Sequence, residues 1–135
     1  MSRVAEMLES YPKYLGGFDQ EKLAECIDAC FDCAQACTAC ADACLAEEMV
    51  ADLVHCIRTN LDCAEICATT GTVLSRHTGS DASVTEALLE ACRVACRVCG
   101  NECANHADMH QHCRICAEAC HRCEAACAAL LSDLG

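Results

Sequence analysis

The chain has 135 residues, room for one domain, and 18 of them are cysteine, above the roughly 8–10% that marks an unusual scaffold. Nine basic residues against 21 acidic ones give a formal net charge of −12. That balance argues against nucleic acid and anionic membranes, which need Lys/Arg clusters, and suits a protein that draws in small cations. The amino-terminal stretch shows no apolar export core and no twin-arginine pair, and no uninterrupted run of about 18 apolar residues exists. No membrane partner is expected, and the expected compartment is the cytosol, where thiols stay reduced.

In chain order, residues 1–18 read as an extension: a short extra helix within 2–15 ends before Gly16 and Gly17 and packs Leu8, Tyr11, Tyr14 and Leu15. Residues 20–133 then hold four longer helices, at about 20–45, 48–77, 83–106 and 109–133, so that 1–135 reads as a single domain. The first carries Cys26, Cys30, Cys33, Cys37, Cys40 and Cys44, and Asp19 is placed to cap it. The second carries Cys56, Cys63 and Cys67. The third, with Ser83 and Glu86 reading as a capping box, carries Cys92, Cys96, Cys99 and Cys103. Asp108 with Gln111 reads as the start of the fourth, which carries Cys113, Cys116, Cys120, Cys123 and Cys127.

The gaps alternate between four and three, which places each set on one face of an α-helix; on a strand the three-residue gaps would switch faces. Short connections make neighbours antiparallel. The predicted fold is all-α, an up-down-up-down four-helix bundle with a cysteine-lined core where leucine and isoleucine would ordinarily lie. Further apolar stripes, Leu23, Ile27, Phe31 and Ala34 on the first long helix and Val50, Val54, Ile57 and Leu61 on the second, point to association between bundles. The two ends differ. One is expected to close with Leu23, Leu74, Leu88 and Leu130, while the other offers Met49, His106, Met109, His110 and His112.

Thiolates and thioethers are soft ligands that select Cu(I), zinc or iron–sulfur clusters. Charge discriminates among them. Burying many thiolates without counter-charge is prohibitive, and about one monovalent ion per thiolate leaves such a core near neutral. Separate Zn(Cys)4 sites would each carry a net negative charge and repel one another in a dry tube, although bridged zinc clusters would lessen this. A zinc or other thiophilic-metal buffer is therefore the alternative, with a disulfide-forming thiol reservoir behind it. The zinc-ribbon-like Cys96, Cys99, Cys113, Cys116 set is a slice of two helical ladders, and the C-x-x-C pairs lack a βαβ context. Glu118 and His121 fall off the cysteine phase, and no single cysteine is marked out as a reactive nucleophile, so no enzymatic activity is expected.

Asn60 occupies the missing rung between Cys56 and Cys63, as a metal-site residue or a structural one. His106 and His110 continue the spacing from Cys103 to Cys113 and should point inward unless they are surface loop histidines. Met49, Met109 and His112 are candidates for an entry site, and His55, His77 and His121 read as solvent-facing.

Four cysteine ladders in a bundle, with His106, Met109, His110 and His112 between the third and fourth helices, resemble the bacterial cytosolic copper storage proteins over essentially residues 20–133. The resemblance implies storage of many Cu(I) ions along the core, a homotetramer of bundles and residence in the bacterial cytosol. It also implies ligand roles at Asn60, His106 and His110 beside the 18 cysteines. Ions would enter at the His/Met end, and a copper chaperone is the kind of partner that would deliver them. Because a protonated cysteine behaves as a small hydrophobe, the metal-free protein should give a strongly helical circular dichroism spectrum. A coil that turns helical only with metal would contradict a preformed bundle.

Overall fold

The computed structural model describes residues 2–134. A short helix, α1 (Val4–Ser10), precedes α2 (Gln20–Leu45), α3 (Val54–Leu74), α4 (Ala82–Ala104) and α5 (Gln111–Leu134). The long helices form a ring in which α2 touches α3 and α5, and α4 touches α3 and α5, with no close backbone approach across either diagonal. This is the contact pattern of an antiparallel up-down-up-down bundle. The start of α2 meets the end of α5 through an ion pair between Lys22 Nζ and Asp133 Oδ1 at 2.9 Å, and the Asp19 backbone N–H donates to the same carboxylate. Arg122 ties the middle of α5 to α2 by pairing with Glu25, Asp28 and Asp32.

Each inward face is the one set by the three–four spacing, and all 18 cysteines are buried. Ladders end in apolar side chains at one end of the bundle, where Leu23, Leu74, Leu89 and Leu130 are buried. The plug residue on α4 is thus Leu89 rather than Leu88, which is only half-buried. Positions three and four residues before Cys92 both fit the phase, and the helix turns the nearer one inward. Thr70, fully buried in the same region, donates its hydroxyl to the Ile66 carbonyl at 2.7 Å, so its polar atom is satisfied within α3.

Several boundaries differ from the sequence expectation. Residues 50–53 form a 3-10 turn, Val50–Leu53, so that α3 begins only at Val54; Leu53 from that turn is buried at the histidine end. Helix α3 stops at Leu74, where the Ser75 N–H is shared among the last carbonyls. Asp19 caps α2 as expected, accepting from the Lys22 N–H. The cap of α4 is Asp81, which accepts from the Ser83 N–H; Ser83 therefore lies inside the helix and is not its N-cap. Asp108 lies in the turn before α5, and the His110 carbonyl receives the Cys113 and Arg114 N–H groups instead.

In the N-terminal segment Leu8 is buried on the bundle, and Leu15 and Phe18 are partly buried against the core. Tyr14 is 86% exposed and makes no such packing. Tyr11 shares a hydrogen bond with Thr78 and places its ring edge against His77, which is therefore half-buried rather than solvent-facing. Gly16, at φ +90°, provides the left-handed turn that returns the chain to α2. Of the apolar stripe on α2, Leu23 and Ile27 are buried; Phe31 is partly exposed and rests on Gly71, where an added Cβ would lie 2.9 Å from its ring. His121 likewise lies over Gly100 while remaining exposed.

Replacing Leu89 with alanine should cost about 2–5 kcal/mol in denaturant unfolding of the metal-free protein, against about 1 kcal/mol or less for Leu88→Ala. Equal losses would place the wrong leucine in the plug.

Candidate metal centre

Sulfur atoms from the four ladders meet along the bundle axis at van der Waals contact. Near the leucine plug, Cys26 Sγ lies 3.8 Å from Cys127 Sγ, and Cys30 lies 3.8 Å from Cys123. Further along, Cys67 approaches Cys96 to 3.5 Å and Cys63 to 3.7 Å. In the middle, Cys120 lies 3.7 Å from Cys33 and 3.6 Å from Cys37, and Cys116 lies 3.7 Å from Cys37. None of these distances approaches a disulfide bond, which is about 2.05 Å. All 18 thiols are free.

Sulfur tetrads recur along this column: Cys30, Cys92, Cys123 and Cys127; Cys33, Cys63, Cys67 and Cys96; Cys33, Cys37, Cys63 and Cys120; Cys37, Cys99, Cys116 and Cys120. Members are shared between successive tetrads, so a thiolate at such a position can bridge two ions. A bond of about 2.3 Å from thiolate to a d10 ion separates sulfurs by about 3.8 Å around a four-coordinate ion and about 4.0 Å around a three-coordinate one. The metal-free column is already at that spacing.

Asn60 lies within the column, fully buried. Its Oδ1 accepts from Cys99 at 3.0 Å, Cys116 at 3.1 Å and Cys103 at 3.4 Å, and its Nδ2 donates to Cys56 Sγ at 3.7 Å. The side-chain amide thus joins thiols from α3, α4 and α5, and it places an oxygen donor where three sulfurs converge.

Packed thiols cannot ionise independently, since each thiolate is held by the S–H groups beside it and in turn keeps those protons bound. Hydrogen bonds from Cys127 and then Cys30 bring Cys26 down to about 5. Those from Cys120 and Cys33 hold Cys63 low, whereas Cys116 and Cys120 push Cys37 up. Burial first, and the neighbouring Cys40 charge second, raise Cys44 to about 11. A column of this kind keeps many of its protons until a cation displaces them.

At the histidine end a mixed group forms from Cys40, Cys44, Cys113 and His112. His112 Nδ1 lies 3.3 Å from Cys40 Sγ and 3.6 Å from Cys113 Sγ. The other nitrogen of that ring, Nε2, is 2.8 Å from Glu47 Oε2. His110, 6% exposed, directs Nδ1 to the same oxygen at 2.9 Å, and its buried Nε2 has no hydrogen-bond partner among the described residues. The two rings stack at 5.4 Å. Burial lowers the His112 pKa, but hydrogen bonds with Cys40 and Glu47 outweigh it and the net shift is upward; the His112 hydrogen bond is the main cause that lowers Glu47.

His106 is held 2.9 Å from Glu102 Oε2 one turn back and forms no hydrogen bond with a thiol among the described residues; α4 ends at Ala104, before it. Met49 and Met109 are exposed at this end, 42% and 63%, and form part of none of the sulfur groups above. His55 and His121 face solvent. Glu47 had no sequence signal: it pairs with residues more than 60 positions away. Glu102 did, standing four residues before His106.

A cysteine-walled bundle with a histidine mouth is the architecture of a protein that holds many soft metal ions at once. This chain belongs to the copper storage protein family, whose sequence profile matches residues 19–132. The copper storage protein Ccsp of Streptomyces lividans, in a structure loaded with 10 copper equivalents, superposes with a TM-score of 0.95 at 61% identity over 96% of this chain and 98% of its own. The five-copper structure of that protein, described as cytosolic, gives 0.84 at 63% over 85% and 96%. Copper storage protein 3 of Bacillus subtilis, in its apo form, gives 0.67 at 34% over 79% and 96%.

Asn60→Ala should lower the stability of the metal-free protein by about 1–3 kcal/mol, since three thiol donors lose their acceptor and a small cavity opens. Thermal unfolding under reducing conditions checks this; unchanged stability would mean that the amide contributes nothing to the empty core.

Proposed function

We propose that this protein stores Cu(I) in the cytosol, binding many ions along the bundle axis through its cysteine thiolates and releasing them without chemical turnover. The observation that carries the reading is the continuous column of 18 buried, unpaired thiols whose tetrads share members. Monovalent copper suits it because each ion balances the charge of one thiolate and leaves the buried column near neutral. Divalent zinc in separate four-thiolate sites would leave repeated net negative charge in a low-dielectric interior.

The ligand set in this reading is Cys26, Cys30, Cys33, Cys37, Cys40, Cys44, Cys56, Cys63, Cys67, Cys92, Cys96, Cys99, Cys103, Cys113, Cys116, Cys120, Cys123 and Cys127. Asn60 contributes where its oxygen faces three sulfurs, and His112 through Nδ1 beside Cys40 and Cys113. His110 supplies a buried, unpartnered nitrogen near the mouth. His106, Met49 and Met109 make a first contact surface at that end, and the leucine end offers no ligand. A copper-delivering chaperone would dock at the histidine end. Association of bundles into a homotetramer is supported by the apolar side chains left exposed on the long helices, among them Phe31, Val54 and Leu61.

Anaerobic titration of fully reduced protein with Cu(I) against a competing chelator, with zinc titrated in parallel, tests the proposal. Uptake should reach about one ion per thiolate, roughly 18–20 per chain, with loss of thiol reactivity. Saturation at a few ions, or displacement of copper by zinc, would overturn it.

A further inference from the structure

The mouth of the column is organised by a side chain that neither the cysteine pattern nor the ladder phase indicates. Glu47 lies in the α2–α3 connection and is about one-third exposed, whereas His110 and His112 stand at the opposite side of the mouth, at the start of α5. One oxygen, Oε2, is within 2.9 Å of a nitrogen from each ring. An ionised carboxylate only accepts hydrogen bonds, so the ring nitrogen facing it must carry the hydrogen. In the neutral rings this leaves the lone pair of His112 on Nδ1, the atom 3.3 Å from Cys40 Sγ, and that of His110 on Nε2, the buried atom without a partner. The rings therefore present opposite tautomers, and their stacking holds both planes together.

We propose that Glu47 is a positioning residue for copper entry: by accepting the His112 Nε2–H and facing His110 Nδ1 with the same oxygen, it keeps one ligand nitrogen of each ring bare at the mouth of the thiol column. This rests on the storage reading. Hydrogen bonding of a ligand histidine's second nitrogen to a carboxylate is the usual way in which such a ring is oriented, and its loss costs about 10–100-fold in affinity or rate at comparable sites. Here the loss should fall on the rate of uptake rather than on capacity, because most of the sulfur ligands lie deeper in the column.

The substitutions Glu47→Ala and Glu47→Gln separate positioning from charge. Both histidines face a single oxygen, and a glutamine carbonyl has two lone pairs, so Glu47→Gln can retain both contacts. Nitrogen-15 spectra of the metal-free proteins, taken where both rings are neutral, should show His112 protonated at Nε2 and His110 at Nδ1 in the parent and in Glu47→Gln. In Glu47→Ala each ring should lose that fixed tautomer. Stopped-flow uptake of Cu(I) from a weak chelator should be about tenfold slower in Glu47→Ala and within about twofold of the parent in Glu47→Gln, with equal final capacity. Unchanged tautomers and rate in Glu47→Ala would overturn the proposal, as would a Glu47→Gln as slow as Glu47→Ala, which would make the carboxylate a charge that attracts cations. A parent protein that takes up no copper would instead defeat the storage reading, and the tautomer spectra would still stand as a test of the positioning.

Discussion

Eighteen sulfur atoms share one water-excluded column, and their protons are held in common: a thiolate formed at one rung is stabilised by the S–H groups of the next and raises their affinity for protons in turn. The energetic cost of isolated buried charge keeps the empty column protonated in large part. Any ion that enters must therefore bring as much positive charge as the protons it removes. This exchange, more than sulfur spacing, selects the cargo, since the 3.5–4.0 Å separations of the column suit three- and four-coordinate d10 ions alike.

The same constraint accounts for the shape of the molecule. Protonated cysteine packs as a small hydrophobe, so the empty bundle has a core, and the column is preformed rather than assembled around metal. Leucines close one end, the Asn60 amide ties together the middle, and the opposite end passes from thiol to imidazole to carboxylate within a few ångströms. In the proposed role, a soft ion moving inward along that sequence would exchange nitrogen for sulfur ligands, and the chain's net negative charge would favour its arrival.

The ladders were legible in the sequence because a three–four alternation has one helical solution, and with them came the four long helices, the antiparallel order and the inward place of Asn60. What failed was whatever depended on a phase shift of one residue or on a turn. Leu88 and Leu89 both satisfy the spacing from Cys92, and packing alone chose Leu89. The run from Cys103 through His106 to Cys113 assumed unbroken helix, whereas α4 ends at Ala104 and the turn carries His106 toward Glu102. His112, outside the ladder phase, reaches Cys40 because it lies in the first turn of α5 beside the end of α2. Tyr14 and His77 exchanged environments relative to expectation, since only the folded N-terminal segment brings Tyr11 onto His77. Glu47 is a contact of the tertiary fold alone.

The most direct measurement of the central claim is the number of protons released per copper bound, read by pH-stat as the reduced protein is loaded with Cu(I) at neutral pH. The account requires close to one proton released per ion over most of the loading, with the few thiols already ionised, such as Cys26, taking up copper without release, so that the column ends near neutral. Release of two protons per ion, or of almost none across the whole series, would contradict it.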